Sequence, residues 1–417
     1  MIDIIGLDSK KLQEIKNRNI DLDKAMDRVR PIIKEVKTFG NKALFKYTKR
    51  YDGYIITANT AKITKTEIEK AYKHVSEKTL QALKNAAVNI EKFAKTQMPK
   101  QWVKEMQKGV NAGQIIRPID KVGCYVPAGT YSLPSTALMQ IIPAKVAGVK
   151  KIIVVSPPRE NNYALLVACD LAGADKIFRV GGAQAIAALA YGTETIPKVD
   201  KIVGPGNIYV TAAKRQVFGD VGIDMLAGPT EIMIYYNNGN ARFIAADMLS
   251  QAEHDRLSSA IFVTTNKVLA DEVKVEIEKQ LDNDIAKESI RKYGAIVIVN
   301  TDAEALNFIN NFAPEHLEIE NISMLRDINN AGAVFVGEYS CESAGDYAVG
   351  PSHVLPTLGN ARFRGGLSVY DFIKIMSFQK LTKQGLADLS TTIIDIAKVE
   401  GLTGHELAVS TRFKNGP

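Results

Sequence analysis

The sequence has few of the residues that define several large classes of protein. It contains three cysteines, Cys124, Cys169 and Cys341, which lie far apart and form no C-x-x-C pair. That supports neither a disulfide framework nor a cysteine zinc knuckle, and we expect a reducing cytoplasm as the compartment. No apolar run reaches the roughly 18 residues that a membrane-spanning helix needs. The first residues show no basic region followed by a long apolar run, so no secretory signal is expected.

The composition is that of an ordinary globular protein. The 417 residues are 46% hydrophobic and 24% charged, a length that allows roughly two to three domains. The formal net charge of +7 and the pI of about 9.0 could indicate nucleic-acid binding. The basic residues are scattered among acids, however, without aromatic interleaving or zinc-finger spacing. A solvated basic surface is the better interpretation, and nucleic-acid binding is an alternative that the charge alone supports.

The chain alternates between strand and helix patterns after about residue 120. Residues 1–120 and those beyond 367 are predicted to be mainly helical, with a long amphipathic pattern over 67–95. Between them we predict helices at 135–147, 163–171, 241–255 and 269–281, and strands at 151–155, 199–203, 231–236, 260–265, 295–300 and 332–337. Parallel strands with right-handed helical crossovers follow from this order. The sequence predicts an α/β fold with two similar halves.

Two glycine-containing loops follow predicted strands. The G-x-G-x-x-G fingerprint of dinucleotide-binding folds is absent. The loops Val180-Gly-Gly-Ala-Gln-Ala and Gly204-Pro-Gly-Asn-Ile-Tyr could bring backbone close to a phosphate, but such loops are common. Each is a weak signal of nucleotide binding.

The stretch from Thr301 to Glu320 places two reactive side chains at a fixed corner. Thr301 and Glu304 form a capping-box pattern at the start of a helix over 301–312, and Pro314 ends that helix. Leu317 and Ile319 then alternate with glutamates, which predicts a half-buried strand. Glu315 and His316 lie between these elements, where a general base can be held firmly. The alternative is an ordinary solvated turn.

A second group of side chains has the character of metal ligands. Asp247, Gln251 and His254 lie at i, i+4 and i+7 of the predicted helix 241–255 and would share one face. Gln251 and His254 could bind one metal ion, although a solvated helix face gives the same pattern. Asp346 lies in a turn-rich stretch after a predicted strand, at a position where ligands often bind. The cysteines have no cationic neighbour in sequence, and we assign them no role.

Nine motifs, in order and with compatible spacing, carry a resemblance to a known family. They are Tyr125-Val-Pro-Ala-Gly, Gly181-Gly-Ala-Gln-Ala-Ile-Ala-Ala-Leu-Ala-Tyr-Gly-Thr, Gly204-Pro-Gly-Asn-Ile-Tyr-Val, Ala227-Gly-Pro-Thr-Glu, Leu249-Ser-Gln-Ala-Glu-His-Asp, Ala313-Pro-Glu-His-Leu-Glu, Gly345-Asp-Tyr, His353-Val-Leu-Pro-Thr and Glu400-Gly-Leu-Thr-Gly-His. Together they resemble the histidinol dehydrogenase family over most of the chain.

The resemblance implies an architecture. It implies two similar, incomplete Rossmann-like α/β domains, with helical N-terminal and C-terminal segments involved in dimerisation. The expected boundaries are 1–14 for the N-terminal segment, 15–121 with 228–365 for the first domain, which carries the zinc and catalytic residues, 122–227 for the NAD domain, and 366–417 for the C-terminal dimerisation segment.

The resemblance also implies a reaction and its residues. L-Histidinol would be oxidised to L-histidine through the aldehyde with two NAD+ reduced, as the last step of histidine biosynthesis. An obligate homodimer would hold one Zn2+ per shared site. His316 would be the base and Glu315 would activate water. The remaining assignments are Tyr125, Gln184 and Asn207 for NAD; Gln251, His254, Asp346 and the partner's His405 for zinc; and Thr230, Glu400, His316 and the zinc ligands for substrate.

Three positions depart from the family's usual pattern. Thr230 replaces the more usual serine but keeps the hydroxyl, Ala128 stands where glycine is common, and Cys341 stands where proline is common. None of these departures removes a reacting group. A different chemistry for the same residues is a zinc hydrolase in which Glu315 activates a metal-bound water.

Overall fold

The computed structural model describes residues 2–18, 21–128 and 132–413. The chain forms two compact units, one of Met1–Gln97 with Ile119–Phe372 and the other of Met98–Pro118 with Ile373–Pro417. Gly129, which closes the motif that begins at Tyr125, lies outside the described residues, as do Met1 and 414–417. None of the helices within the described ranges combines the length and apolar composition that a membrane span needs.

The described helices and strands follow one another in mixed order. The α-helices are α1 Lys10–Lys16, α2 Leu22–Phe39, α3 Asn41–Asp52, α4 Ala58–Ala61, α5 Lys65–His74, α6 Glu77–Gln97, α7 Pro134–Ala147, α8 Tyr163–Ala172, α9 Gly182–Tyr191, α10 Ile208–Val217, α11 Ala241–Ala252, α12 Lys267–Gln280, α13 Asp284–Tyr293, α14 Asp302–Phe312, α15 Glu342–Tyr347, α16 Lys383–Val399 and α17 Thr403–Ser410. The strands are β1 Asp3–Ile5, β2 Trp102–Gln107, β3 Val110–Pro118, β4 Lys121–Tyr125, β5 Lys151–Ser156, β6 Lys176–Arg179, β7 Lys201–Val203, β8 Gly222–Ile223, β9 Glu231–Tyr235, β10 Ser259–Thr264, β11 Gly294–Ile298, β12 His316–Ile319, β13 Ala333–Val336 and β14 Ile373–Leu381.

Two parallel sheets form the centre of the first unit and confirm the predicted α/β class. One has six strands in the order β1-β11-β10-β9-β12-β13, and the other has five in the order β6-β5-β4-β7-β8. Apolar clusters cover both faces of the six-stranded sheet. A third cluster packs the five-stranded sheet against α2, α3 and α9. Burial on both faces explains why these strands are continuous apolar runs rather than alternating ones.

The second unit contradicts part of the sequence prediction. β14, β3 and β2 form an antiparallel sheet where only helix was expected, both before residue 120 and after residue 367. All six residues of β2 are exposed, so the sequence carries no alternation of buried and exposed positions there. Gly109, with φ +77°, turns the chain between β2 and β3. The predicted C-terminal helix pattern is confirmed only from Lys383 onward, in α16 and α17.

Several boundaries in the first unit also differ from prediction. The amphipathic pattern over 67–95 is two helices, α5 and α6, and α13 was not predicted at all. The helix predicted over 241–255 ends at Ala252. β12 was predicted to be half-buried, but all four of its residues are buried, Glu318 included. Both neighbouring strands and the helices on each face cover it, which the alternation of charges could not reveal.

The corner between α14 and β12 is as expected, and the structure adds a left-handed residue, Ala313, at the end of the helix. Thr301 caps α14 by accepting a hydrogen bond from the Glu304 N–H at 3.2 Å, while the Glu304 carboxylate reaches the Asn300 N–H at 2.8 Å. Ala313 ends the helix in the left-handed conformation, with φ +56°. Pro314 follows it directly, and the chain enters β12 at His316.

Candidate active site

A cavity of about 720 Å³ in the first unit gathers six of the predicted site residues. Its lining includes Asn207, Thr230, His254, Glu315, His316 and Asp346. Thr230 and His316 lie at the amino ends of β9 and β12, whereas Asn207 follows the carboxyl end of β7. The cavity therefore lies between the amino edge of one sheet and the carboxyl edge of the other. Glu315 and His316 lie at the predicted corner before β12, and Asp346 follows the carboxyl end of β13, as expected.

Glu315 is buried and held by two donors. Its Oε2 accepts hydrogen bonds from Thr230 Oγ1 at 2.5 Å and from the Glu231 N–H at 2.9 Å. Burial raises the pKa of Glu315 well above its usual value, and those two hydrogen bonds oppose the rise. The Glu315 carbonyl accepts from the Ala333 N–H at 2.9 Å. A side chain fixed in this way keeps its position during a reaction.

His316 has one ring nitrogen engaged and one free. Its Nδ1 lies 3.0 Å from the Glu231 carbonyl oxygen. Its Nε2 is buried, has no hydrogen-bond partner among the described residues, and lies 3.8 Å from Asp346 Oδ1. Burial lowers the pKa of His316 to about 4, although the charge of Asp346 opposes this. The lowered pKa favours a neutral imidazole, and the Glu231 carbonyl, which can only accept, favours a proton on Nδ1 and a lone pair on Nε2.

The expected metal ligands of the first unit also converge, but not as a helical face. Gln251 is fully buried near the end of α11, while His254 is exposed beyond the helix. The predicted shared face is wrong because α11 ends at Ala252. His254 and Asp346 nevertheless offer ligand atoms within 4.8 Å of each other, together with Glu342. Gln251 Nε2 donates to Thr230 Oγ1 at 2.8 Å, and Gln251 Oε1 has no partner in the described ranges.

Additional acids surround this group, of which Asp247 was considered with the predicted helical face and Glu342 and Glu318 were not assigned to the site. Glu342 and Glu318 are buried, and Asp247 is half-buried beside Glu318. Burial raises the pKa of Glu318 and of Glu342 well above the usual value and that of Asp247 to about 6. The one available signal was that Glu342 precedes Asp346 by four residues, one helical turn. Buried acids of this number require a cation or protons nearby.

The two glycine loops both follow strands of the five-stranded sheet. Gly182, with φ +64°, donates its N–H to the Tyr125 hydroxyl at 3.2 Å at the start of α9. Gln184 is buried on α9 and donates to Asp52 Oδ2 at 3.2 Å. Burial raises the pKa of Asp52 to about 6 and that of Tyr125 to about 12. Tyr125 and Gln184 do not line the cavity, so of the three expected NAD contacts only Asn207 does.

A buried ion pair fixes the second loop. Lys214 Nζ donates to the Gly204 carbonyl at 2.9 Å and contacts Asp224, whose Oδ2 accepts from the Gly204 N–H at 2.6 Å. Gly204 has φ +116°, and a Cβ there would lie 2.1 Å from the Tyr125 carbonyl oxygen. Asn207 caps α10 by accepting from two backbone N–H groups. The loop is therefore rigid and admits no side chain at Gly204.

The remaining predicted residues lie elsewhere. Glu400 follows α16 and His405 lies on α17, both exposed in the second unit. His353 Nδ1 lies 2.9 Å from the Asp346 carbonyl and its Nε2 3.1 Å from Thr136 Oγ1, so it supports the cavity wall.

The cysteines carry no chemistry that the structure supports. Cys124 and Cys169 are fully buried, which raises the pKa of both thiols, that of Cys169 to about 12. Cys341 is half-buried and unpaired. The buried imidazole and carboxyl group lie in a cavity between two parallel sheets, beside side chains that could hold a metal ion, and this arrangement is that of an α/β enzyme.

Comparison with known proteins identifies the family. The family model for histidinol dehydrogenase matches residues 15–413. A histidinol dehydrogenase from Bacillus thuringiensis is 48% identical over 418 residues, 97% of each chain. One from Clostridium acetobutylicum is 46% identical over 425 residues, 98% of this chain and 97% of the relative. The crystal structure of histidinol dehydrogenase from Elizabethkingia anophelis matches with TM-score 0.92 and 39% identity, over 99% of this chain and 98% of that one. The chain belongs to the histidinol dehydrogenase family and is an NAD-dependent dehydrogenase.

Proposed function

We propose that this enzyme oxidises L-histidinol to L-histidine through L-histidinaldehyde, reducing two NAD+, as the last step of histidine biosynthesis. The observation that carries the proposal is the state of His316. Its Nδ1 lies 3.0 Å from a backbone carbonyl, its buried Nε2 has no partner among the described residues, and the residue lines the cavity. A defined tautomer with a free lone pair is what a general base requires.

Proton transfer follows from the positions of the two side chains. NAD+, held by the glycine loops and Asn207, would accept the hydride in each oxidation. In the first oxidation, His316 Nε2 takes the hydroxyl proton of histidinol, which gives the aldehyde. In the second, Glu315, as the carboxylate that its two hydrogen-bond donors favour, takes a proton from the water that adds to the aldehyde. His316 then takes a hydroxyl proton of the hydrate, which gives the acid. Thr230 and the Glu231 N–H hold the Glu315 carboxyl group in place for this role.

The residues present fit the expected zinc ion. Gln251 Oε1 is buried and has no hydrogen-bond partner in the part of the chain that the structure describes, and His254 and Asp346 offer the nitrogen and oxygen ligands that suit zinc. Zinc held by these residues, with the partner's His405, would supply Lewis-acid binding of the substrate's amine and imidazole nitrogens. Gln251 also donates to Thr230, which donates to Glu315, so a metal ligand and the water-activating group belong to one hydrogen-bonded chain. Thr230, which replaces the family's usual serine, keeps the hydroxyl that these two hydrogen bonds need.

The glycine loops fit the expected NAD. Gly181 precedes α9 with no side chain capping the helix, so its N-terminus can receive a phosphate. A Cβ at Gly181 would lie 2.4 Å from Pro157 Cγ, which requires glycine there. Asn207 lines the same cavity as His316. Tyr125 and Gln184 flank the Gly181 loop and are proposed as further NAD contacts.

The second unit supports an obligate homodimer with shared sites. Glu400 and His405 are exposed there, beside apolar residues that are also exposed, among them Val399 at 90% and Leu407 at 52%. Large exposed apolar side chains of this kind mark an interface. A second copy covering them would bring Glu400 for substrate and His405 for zinc to the other copy's site. The three unpaired cysteines agree with a cytoplasmic location.

Two variants separate the two roles. His316→Asn should lower NADH formation from L-histidinol by about 10²–10⁴-fold, because the base is lost, with zinc content unchanged. Glu315→Gln should retain the first oxidation and release aldehyde that a carbonyl trap captures, with one NADH per histidinol consumed. His74→Ala, on an exposed helix, is the control for a histidine outside the site. Loss of zinc from His316→Asn, or two NADH per histidinol from Glu315→Gln, would show that the roles are misassigned.

A further inference from the structure

Glu342 has a carboxylate with nothing in the described part of the chain to satisfy it. The residue is 2% exposed, and neither carboxylate oxygen has a hydrogen-bond donor there. A buried carboxylate without a partner is strongly unfavourable. A group from outside the chain is therefore expected to complete its surroundings.

The position of Glu342 shows where that group would lie. Glu342 and Asp346 are four residues apart on α15, so their side chains leave the helix on the same face. A ligand atom from each of them and one from His254 all lie within 4.8 Å of one another. That spacing allows one ion to touch all three.

Two further buried atoms without partners lie in the same region. Gln251 Oε1 and His316 Nε2 both lack hydrogen-bond partners among the described residues. Glu342 Oε1 is 3.4 Å from His316 Nδ1, but that nitrogen already lies 3.0 Å from the Glu231 carbonyl. None of the ion pairs found in the described ranges joins a lysine or an arginine to Glu342 or Asp346. What the cluster lacks is a cation.

We propose that Glu342 is a ligand of the bound divalent metal ion, beside His254 and Asp346. This inference rests on the proposed metal-dependent function and adds a carboxylate to the ligands expected from the family resemblance. Mixed nitrogen and oxygen ligands suit zinc and allow more than four bonds where the site also takes substrate atoms.

Glu318 provides a matched control from the same cluster. It is buried like Glu342, but its Oε1 accepts from the Glu342 N–H at 3.0 Å, so it already has a structural role. Glutamine at 318 would keep that acceptor. The substitution Glu318→Gln therefore removes a buried acid without removing a group directed at the metal.

The test measures metal binding directly rather than turnover. Metal-free wild type and the variants Glu342→Gln, Glu342→Leu and Glu318→Gln are titrated with Co2+ while visible absorption is recorded. Their Zn2+ affinity is measured in competition with a chromophoric chelator. We expect both Glu342 variants to lose about 10–100-fold in Zn2+ affinity, at least as much as when a group that only hydrogen-bonds to a metal ligand is removed. The Co2+ spectrum of both variants should also differ from that of the wild type. Glu318→Gln should remain within about threefold of wild type.

The outcomes separate this inference from the proposed function. Wild-type metal binding with unchanged affinity and spectrum in folded Glu342→Gln overturns the role of Glu342 and leaves the metal-dependent function standing. Absence of metal binding in the wild type overturns both. If Glu342→Leu does not fold, the nearly isosteric Glu342→Gln decides the question, with circular dichroism as the check on folding.

Discussion

The buried ion pair between Arg18 and Glu231 should stabilise the backbone that holds the two proposed reactive side chains, Glu315 and His316. Arg18 Nη2 lies 2.8 Å from Glu231 Oε1, and the two side chains are 1% and 2% exposed. The backbone of Glu231 serves both reactive residues, because its N–H donates to Glu315 and its carbonyl faces His316 Nδ1. Replacing Arg18 by methionine leaves Glu231 buried without its cation.

The size of the effect follows from burial. Burial raises the pKa of Glu231, and the charge of Arg18 opposes this. Removing one partner of a buried pair costs about 3–5 kcal/mol of unfolding free energy. Arg18 also donates from Nη1 to the Ile15 carbonyl at 3.0 Å, and Arg18→Met removes this hydrogen bond as well. The loss of unfolding free energy in Arg18→Met should therefore lie within that range rather than below it. Replacing both partners, as Arg18→Met with Glu231→Leu, should cost less than the sum of the single changes, because no unpaired charge remains.

Urea unfolding followed by circular dichroism measures these free energies, at one protein concentration because dimerisation adds to stability. In parallel, kcat should fall in Arg18→Met more than the KM for NAD+ rises, because the backbone that holds Glu315 and His316 moves. A cost under about 1 kcal/mol for Arg18→Met, or a double variant as unstable as the sum of the single ones, would mean that the buried pair does not hold this backbone in place. Lys279→Met, at an exposed pair with Glu276, is the control and should change stability by no more than about 0.5 kcal/mol.

Three further predictions concern the cofactor loops and the thiols. Gly181→Ala should raise the KM for NAD+ at least tenfold, because its Cβ would meet Pro157 at 2.4 Å; an unchanged KM would mean that the loop does not bind NAD. Lys214→Met should cost about 3–5 kcal/mol of unfolding free energy in the same urea assay, since it strands buried Asp224, and a cost under 1 kcal/mol would contradict this. In the native enzyme, iodoacetamide should label Cys341 but not Cys124 or Cys169, whose thiols are buried with raised pKa; mass spectrometry of the labelled peptides decides this.

The local rules of sequence predicted the elements around the site well. The cap at Thr301, the end of α14 before Pro314 and the strand that begins at His316 all follow from residue types within a few positions. The helices predicted over 135–147, 163–171 and 269–281 likewise follow from short periodic patterns and are confirmed as α7, α8 and α12, whereas α9, α10 and α13 were not predicted. Such features depend on neighbours in sequence, and these are visible without a structure.

What the sequence did not show depends on tertiary contacts. β2 in the second unit lacks a buried face, so its pattern has no period of two. The burial of Glu318 and Glu342 comes from elements distant in sequence. The approach of Asp346 to within 3.8 Å of the His316 imidazole depends on how α15 packs back over the start of β12. Gln251 and His254 converge with Asp346 through that packing rather than through a shared helical face.

The proposed four-electron oxidation at a metal-dependent site is tested by measuring NADH formed per L-histidinol consumed, with a chelator and after zinc is restored. We expect two NADH per histidinol, lost on chelation and recovered with zinc. One NADH per histidinol would contradict the role of Glu315 in the second oxidation. Undiminished turnover in the chelated enzyme would contradict the metal site.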